Sequence, residues 1–274
     1  MRFEGKVAVI TGGGQGLGSA FASALVEEGA RVALLDVNEL TAQETAEALE
    51  ARGFNALGLH CDVTDDAAVD RAMGQVAEHF GALDILVNNA GLHQRKYNQP
   101  FGSLERHELR ALFEVNVMGI INCSLACQPF MASAGGGVIT NIASTSANAS
   151  ATPYGVSKLA ARGLTVALAT EMAADNIRVN AISPGFVGSS NLLAECDPER
   201  LKAIMAALGA SLPAQVVDKC SQEDLVEIVR GLQLLRNEGT VDDVVQALLY
   251  LSSEAAGFVT GETLRIAGGS TIGF

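Results

Sequence analysis

The sequence predicts a doubly wound α/β fold, with a parallel sheet of about seven strands between two layers of helices. Three observations predict it. Short apolar runs such as KVAVIT, RVALLD and LDILVN alternate with helical periodicity along the chain. The first run passes directly into a glycine-rich turn, TGGGQGLG, and then into a helical pattern. The length of 274 residues, with 49% hydrophobic and 18% charged side chains, suits a single domain with a large core.

The elements follow in order. Residues 6–11 read as the first strand, and Leu17, Phe21 and Leu25 mark a helix that stops at Gly29. A second strand spans 31–36, a helix 39–52, and a third strand 55–60. Asp65 caps a helix whose apolar stripe is Val69, Met73, Val76 and Phe80, and residues 83–88 form the fourth strand. A long helical stretch covers 104–131, with breaks expected near Pro100 and Pro129. Strands at 137–143 and 177–182 enclose a helix at 154–174, and a helix at 241–252 precedes the last strand at 263–267. Residues 111–127 and 159–172 are apolar or small on nearly every face, so each should be covered on two sides. One side can face the sheet; the other needs a further layer or a second subunit.

Composition excludes several functions. A net charge of −13 with no local basic patch argues against a nucleic-acid partner. Five cysteines without a CxxC pair read as reduced thiols, and four scattered histidines offer no metal site. The N-terminal MRFEGK enters a strand without the apolar core of an export signal. No uninterrupted apolar stretch reaches the ~18 residues of a membrane helix, so a cytoplasmic protein is expected.

The chemistry gathers in a few places. In TGGGQGLG, glycines let the backbone turn tightly and approach a pyrophosphate. The helix beginning near Gly16 points its amides and positive dipole end at the same group. This is a Rossmann-type arrangement, with Gly12, Gln15, Gly16, Leu17 and Gly18 as candidate cofactor contacts. Asp36 ends the second strand, 18 residues beyond Gly18, where a carboxylate can accept hydrogen bonds from an adenosine ribose.

With these motifs and those that follow, the chain resembles the single-domain short-chain dehydrogenase/reductase family over nearly its whole length. TGGGQGLG matches the family's TGxxxGxG loop, and Asp62-Val63 looks like its adenine-contacting pair. Asn88-Asn89-Ala90-Gly91 matches NNAG, and Pro184-Gly185-Phe186-Val187-Gly188-Ser189 resembles PGxVxT with serine for threonine. Gly261 and Gly268-Gly269 match the family's C-terminal end. Asn116, Ser144, Tyr154 and Lys158 match its catalytic tetrad. The resemblance implies hydride transfer between NAD and an alcohol/ketone pair, with Tyr154 as acid/base. It also implies that Lys158 holds the nicotinamide ribose, that Asn116 helps hold a water linking Lys158 to solvent, and that the assembly is a homotetramer or homodimer.

The residues support these roles. Tyr154 and Lys158 are four apart and share one helix face. A free tyrosine, with a pKa near ~10, is a poor base at neutral pH, and a neighbouring cation favours phenolate. Ser144 follows the fifth strand and can hydrogen-bond a substrate oxygen. Ser144 and Tyr154 are only ten positions apart, a shorter loop than the family pattern; Thr145 or Ser146 could take the serine's role, but Ser144 is kept because it follows the strand pattern VITNIAS directly. Asp36, followed by Val37 and Asn38 rather than arginine, favours NAD over NADP, and Gln15 occupies a loop position often basic in NADP-dependent relatives.

Residues 190–238 are longer than in many relatives and should form a lid. Their many leucine, isoleucine, valine and methionine residues suggest a bulky, apolar substrate or simply lid packing. His93, Gln94, Arg95, Lys96 and Tyr97 should rim the pocket, either holding an anionic substrate or standing as solvated charges. A 3-oxoacyl-thioester reductase and a non-catalytic NAD-sensing module remain as alternative functions.

Overall fold

In a computed structural model, residues 1–92, 94–185, 187, 231, 233–235, 237 and 239–270 are described. Seven strands form one parallel sheet: β1 (Val7–Thr11), β2 (Arg31–Asp36), β3 (Ala56–His60), β4 (Ile85–Asn88), β5 (Gly137–Ile142), β6 (Ile177–Pro184) and β7 (Thr263–Ile266). Their order is β3-β2-β1-β4-β5-β6-β7. The order reverses between β1 and β4, and the carboxyl ends on either side of that point open a crevice.

Successive side chains on a strand face opposite ways, so each central strand feeds two cores. Ile10 and Leu34 meet Phe21 and Leu25 of α1 (Gly16–Glu27), Ala42 and Leu49 of α2 (Glu39–Glu50), and Val244 and Leu248 near the C-terminus. Val9, Leu35, Leu86 and Ile139 point the other way. They meet Val69, Met73 and Val76 of α3 (Asp66–Phe80) and a cluster of later helical residues. The expected cap is present: Asp65 accepts a hydrogen bond from the Ala68 amide at 3.0 Å.

The long helical stretch departs from expectation. After a turn at α4 (Gln94–Tyr97), α5 (Arg106–Phe113) passes into one π-helical turn, Glu114–Met118, and continues as α6 (Gly119–Ser133). The irregularity falls around Asn116, not at Pro129, which sits inside α6. Pro129 lacks the amide that would bond the Leu125 carbonyl, but buried Cys123, Cys127 and Met131 hold the helix on either side of it. The run Arg106–Ser133 is long and apolar enough to cross a membrane by length and composition. Its buried side packs against α3, the sheet and the later helix Pro153–Glu171, as a core helix does.

A short turn, α7 (Ser146–Ala149), precedes α8 (Pro153–Glu171), and α9 (Val241–Ser252) closes the opposite layer. Other boundaries differ from the sequence reading by up to three residues, as helix and strand ends do. The expected lid at 190–238 lies almost wholly outside the described residues.

Candidate active site

The glycine-rich turn owes its shape to contacts a side chain would prevent. A Cβ on Gly18 would lie 2.1 Å from the Gly12 carbonyl oxygen, so the first turn of α1 can pack against the glycine turn only with glycine there. Gly12 itself takes φ +61°, in the left-handed region. Gln15, the N-cap of α1, makes no side-chain capping bond, so no cap side chain occupies the start of the helix. Such an end accepts an anion. Gln15 and Gly16 are exposed and Leu17 is half-buried.

Thr11 joins this turn to the NNAG loop. Its hydroxyl accepts the Asn89 and Ala90 amides, both at 3.0 Å. The Asn89 amide group returns hydrogen bonds to the Thr11 and Gly12 carbonyls at 3.0 and 2.9 Å. Sequence reasoning missed Thr11, because nothing in the motif reveals where a hydroxyl on the last strand residue points. Asp36 sits beside the turn: one carboxylate oxygen accepts from the Gly14 amide and the other from the Asn38 amide, each at 3.0 Å. Asp62 accepts from Thr64, and Val63 packs against Gly119, where a Cβ would come within 2.7 Å. A groove of about 690 Å³ lined by Val37, Asn38, Glu39, Leu40, Gln43 and His60 adjoins Asp36, away from the tetrad.

The four tetrad residues converge at the carboxyl ends of β4 and β5. The Lys158 Nζ donates to the Ile142 carbonyl at 2.7 Å and lies 5.8 Å from the centre of the Tyr154 ring. Ser144 is the hydroxyl that hydrogen-bonds Tyr154, and its Oγ also accepts the Ser146 amide at 3.2 Å. Thr145 is buried, its amide on the Pro184 carbonyl, and Ser146 begins α7. Asn116, in the π-helical turn, accepts the Leu92 amide at 2.8 Å and donates to the Ser157 Oγ at 3.1 Å. Ser157 in turn donates to the Tyr154 carbonyl at 2.8 Å. The Gly91 Cα faces this group: a Cβ there would lie 3.3 Å from Asn116 Oδ1 and 3.5 Å from Lys158 Nζ. Pro184 ends β6, Gly185 and Val187 stand just beyond it, and the Gly185 amide bonds the Ile266 carbonyl at 2.8 Å. Ser189 lies outside the described residues.

The expected rim is partly engaged elsewhere. Lys96 pairs with Glu108 at 2.6 Å and lies over the Tyr97 ring. Tyr97 is buried with Leu112 and Tyr154. His93 lies outside the described residues.

A sequence profile described as short chain dehydrogenase matches residues 6–200. The chain belongs to the short-chain dehydrogenase family. Among its relatives, a 3α-hydroxysteroid dehydrogenase from Mediterraneibacter gnavus is 35% identical, with 98% of each chain aligned. A cis-4-hydroxycyclohexanecarboxylate dehydrogenase from Sinomonas cyclohexanicum is 33% identical over 98% of each chain. The structure of an NAD⁺-bound xylitol dehydrogenase superposes with a TM-score of 0.85 at 30% identity, covering 98% of this chain and 100% of the other. A 7α-hydroxysteroid dehydrogenase complexed with NADH and 7-oxo glycochenodeoxycholic acid gives 0.80 at 29% identity, covering 98% and 95%. These similarities make the protein an oxidoreductase of the dehydrogenase type.

In this short-chain dehydrogenase, burial shapes the ionisation of the tetrad. It pushes the Tyr154 phenol up to about 12, although the Ser144 hydrogen bond pulls the other way. It brings the Lys158 ammonium down to about 8. The protein alone therefore holds a neutral phenol, and the lysine does not by itself supply the acidified tyrosine that the sequence argument looked for. Among the described residues, no group of three or more His, Cys, Asp or Glu side chains could hold a metal ion. Cys61, Cys123 and Cys127 are buried free thiols; Cys196 and Cys220 lie outside the described residues.

Proposed function

We propose that the protein is an NAD(H)-dependent dehydrogenase of secondary alcohols, or a reductase of the matching ketones, with Tyr154 as acid/base. The observation that carries this is the convergence of Tyr154, Ser144 and Lys158 at the end of the sheet, across the crevice from the glycine turn. The residues present fit a dinucleotide. The turn leaves no room for side chains at Gly12 and Gly18, and the α1 terminus carries no side-chain cap. Asp36 keeps acceptor capacity beyond its two backbone bonds. When bound, the nicotinamide ring gives or takes the hydride.

The chain's own residues divide the remaining work. Asp36 accepts the adenosine ribose hydroxyls; Gly12, Gln15, Gly16, Leu17 and Gly18 frame the pyrophosphate; Asp62, Val63, Asn89, Ala90 and Gly91 line the adenosine side. Pro184, Gly185, Val187 and Ser189 border the nicotinamide. Ser144 holds the substrate oxygen against the Tyr154 hydroxyl, which loses a proton in ketone reduction and gains one in alcohol oxidation. Lys158 binds the ribose, and Asn116 fixes the Leu92 loop beside it. The two relatives named for hydroxyl groups on carbocycles support a ring-borne secondary alcohol, bulky and apolar, as the substrate class.

We also propose a cytoplasmic protein with a single domain over residues 1–274 and a lid at 190–238. Its partner would be a second copy, as a homodimer or homotetramer. Exposed apolar side chains on α6 and α8, argued below, support the assembly.

Cofactor choice tests the reading directly. A 2′-phosphate would meet Asp36 at close range. Two unit charges about 4 Å apart repel by roughly 4 kcal/mol at an effective dielectric near 20. Solvent relieves part of this, leaving about 2 kcal/mol, or about 30-fold in favour of NAD. Values of kcat/KM for NAD and NADP, measured with alcohols from cyclohexanol to a 3α-hydroxysteroid, should show that preference. Asp36→Ala should narrow it. A clear preference for NADP would overturn the reading.

A further inference from the structure

The helix that carries Tyr154 and Lys158 starts at an N-cap with two partners on different elements. Thr152 Oγ accepts the Gly155 amide at 3.2 Å and donates to Asn98 Oδ1 at 2.9 Å. A hydroxyl has one proton and two lone pairs, so giving the proton to Asn98 leaves a lone pair aimed at Gly155. Asn98 directly follows Tyr97, whose buried ring packs with Tyr154 and Leu112. The α4 segment therefore touches the start of α8 at two points, one polar and one aromatic.

The other flank of that start is held as tightly. The Ser146 carbonyl lies where a Cβ on Gly155 would come within 2.7 Å, so α7 rests directly on the first turn of α8. Ser150 takes φ +48°, and its hydroxyl donates to the Ala147 carbonyl at 2.5 Å. Arg162 reaches back to the Asn148 side chain at 2.7 Å. With Ser144 and Tyr154 only ten positions apart, this loop has little slack. Asn98 is the side chain that ties the N-cap to the opposite wall.

We propose that Asn98 is a positioning residue for Tyr154, acting through the N-cap hydroxyl of Thr152. The proposal rests on Tyr154 being the acid/base. Tyr154 stands two residues past the cap, whereas Lys158 is a turn further in and anchored to the Ile142 carbonyl. Releasing the cap therefore moves the phenol relative to Ser144 and leaves the lysine in place. Misplacing a reacting group by a fraction of an ångström slows the reacting step more than it weakens cofactor binding.

The test is steady-state kinetics with NAD and the best alcohol from the cofactor experiment. Asn98→Ala should lower kcat about 10-fold while KM for NAD stays within about twofold. Asn98→Asp retains the acceptor and should keep about half or more of the wild-type kcat. Thr152→Val should match Asn98→Ala, Thr152→Ser should stay near wild type, and the double variant Asn98→Ala/Thr152→Val should lose nothing more. Wild-type kcat in Asn98→Ala, equal impairment in Asn98→Asp, or additive losses would each overturn the proposal. Tyr154→Phe, run alongside, separates the two readings. If it keeps near-normal turnover, the acid/base assignment fails and takes this proposal with it. If it loses about 10²-fold or more while Asn98→Ala is normal, only the role of Asn98 fails.

Discussion

Lys158 shows what a buried ammonium costs the protein that carries it. Its ammonium is lowered from 10.5 to about 8 by burial, which corresponds to about 3 kcal/mol against the charged form. In the unfolded chain the lysine stays protonated up to its ordinary range, so between pH 8 and 10.5 the unfolded state binds more protons and stability rises with pH. Below pH 8 the penalty is complete. Lys158→Met removes it, along with one hydrogen bond worth about 1 kcal/mol. The variant should therefore be inactive yet about 2 kcal/mol more stable at pH 7, with its advantage shrinking as pH rises above 8. Denaturant titrations of both proteins at pH 7 and 9 check this; a variant less stable at pH 7 would contradict it. The Tyr154–Lys158 pair was legible because a spacing of four is a helix face. Ser144 was legible as the serine that directly follows the fifth strand; the path of the short loop beyond it was not, since packing sets that path, here of Ser146 against Gly155.

At the scale of elements, strands and most helices could be read from apolar periodicity, and Asp65 announced its helix in advance. The π-helical turn could not. Residues 111–127 are apolar or small on nearly every face, so a turn widened by one residue leaves no trace in their pattern, yet it places Asn116 against Leu92 and Ser157. The α1 start was half legible: the glycines signalled a tight approach but not which one is indispensable. Gly18→Ala would drive a methyl group to 2.1 Å from the Gly12 carbonyl oxygen and 2.9 Å from the Asn89 side-chain Nδ2. It should lower stability by about 1–3 kcal/mol and weaken NAD binding at least about 10-fold. Gly74 in α3 has open space at the same position. Gly74→Ala should instead stabilise by about 0.5–1 kcal/mol and leave NAD binding unchanged. Thermal melts with and without NAD distinguish the two.

Across the whole molecule, the helices that read as apolar on every face prove to have one face unburied. Met118, Leu125, Leu159 and Val166 are exposed, Val166 at 56%. Apolar patches of this kind on paired helices suit a two-fold contact with a second copy. Val166→Lys with Leu125→Lys should shift the light-scattering mass toward a monomer while leaving the fold, by circular dichroism, intact. A wild-type protein that is already monomeric at micromolar concentration would count against the assembly.

The strand order carries a kinetic consequence as well. Within the described sheet, β1 with β4 is the one neighbouring pair that is not consecutive in sequence, and it joins residues 77 apart, as in the bond from the Val7 amide to Asp84. The chain can assemble β1–β3 and β4–β6 from nearer neighbours and must then close two long loops, one joining β1 to β4 and one joining β6 to β7, whose paired residues Ala181 and Thr263 are also far apart in sequence. The β1–β4 seam is where Thr11 receives Asn89 and Ala90. Folding should be slowed by both long closures, and the crevice at the β1–β4 seam should be among the last parts of the molecule to exist.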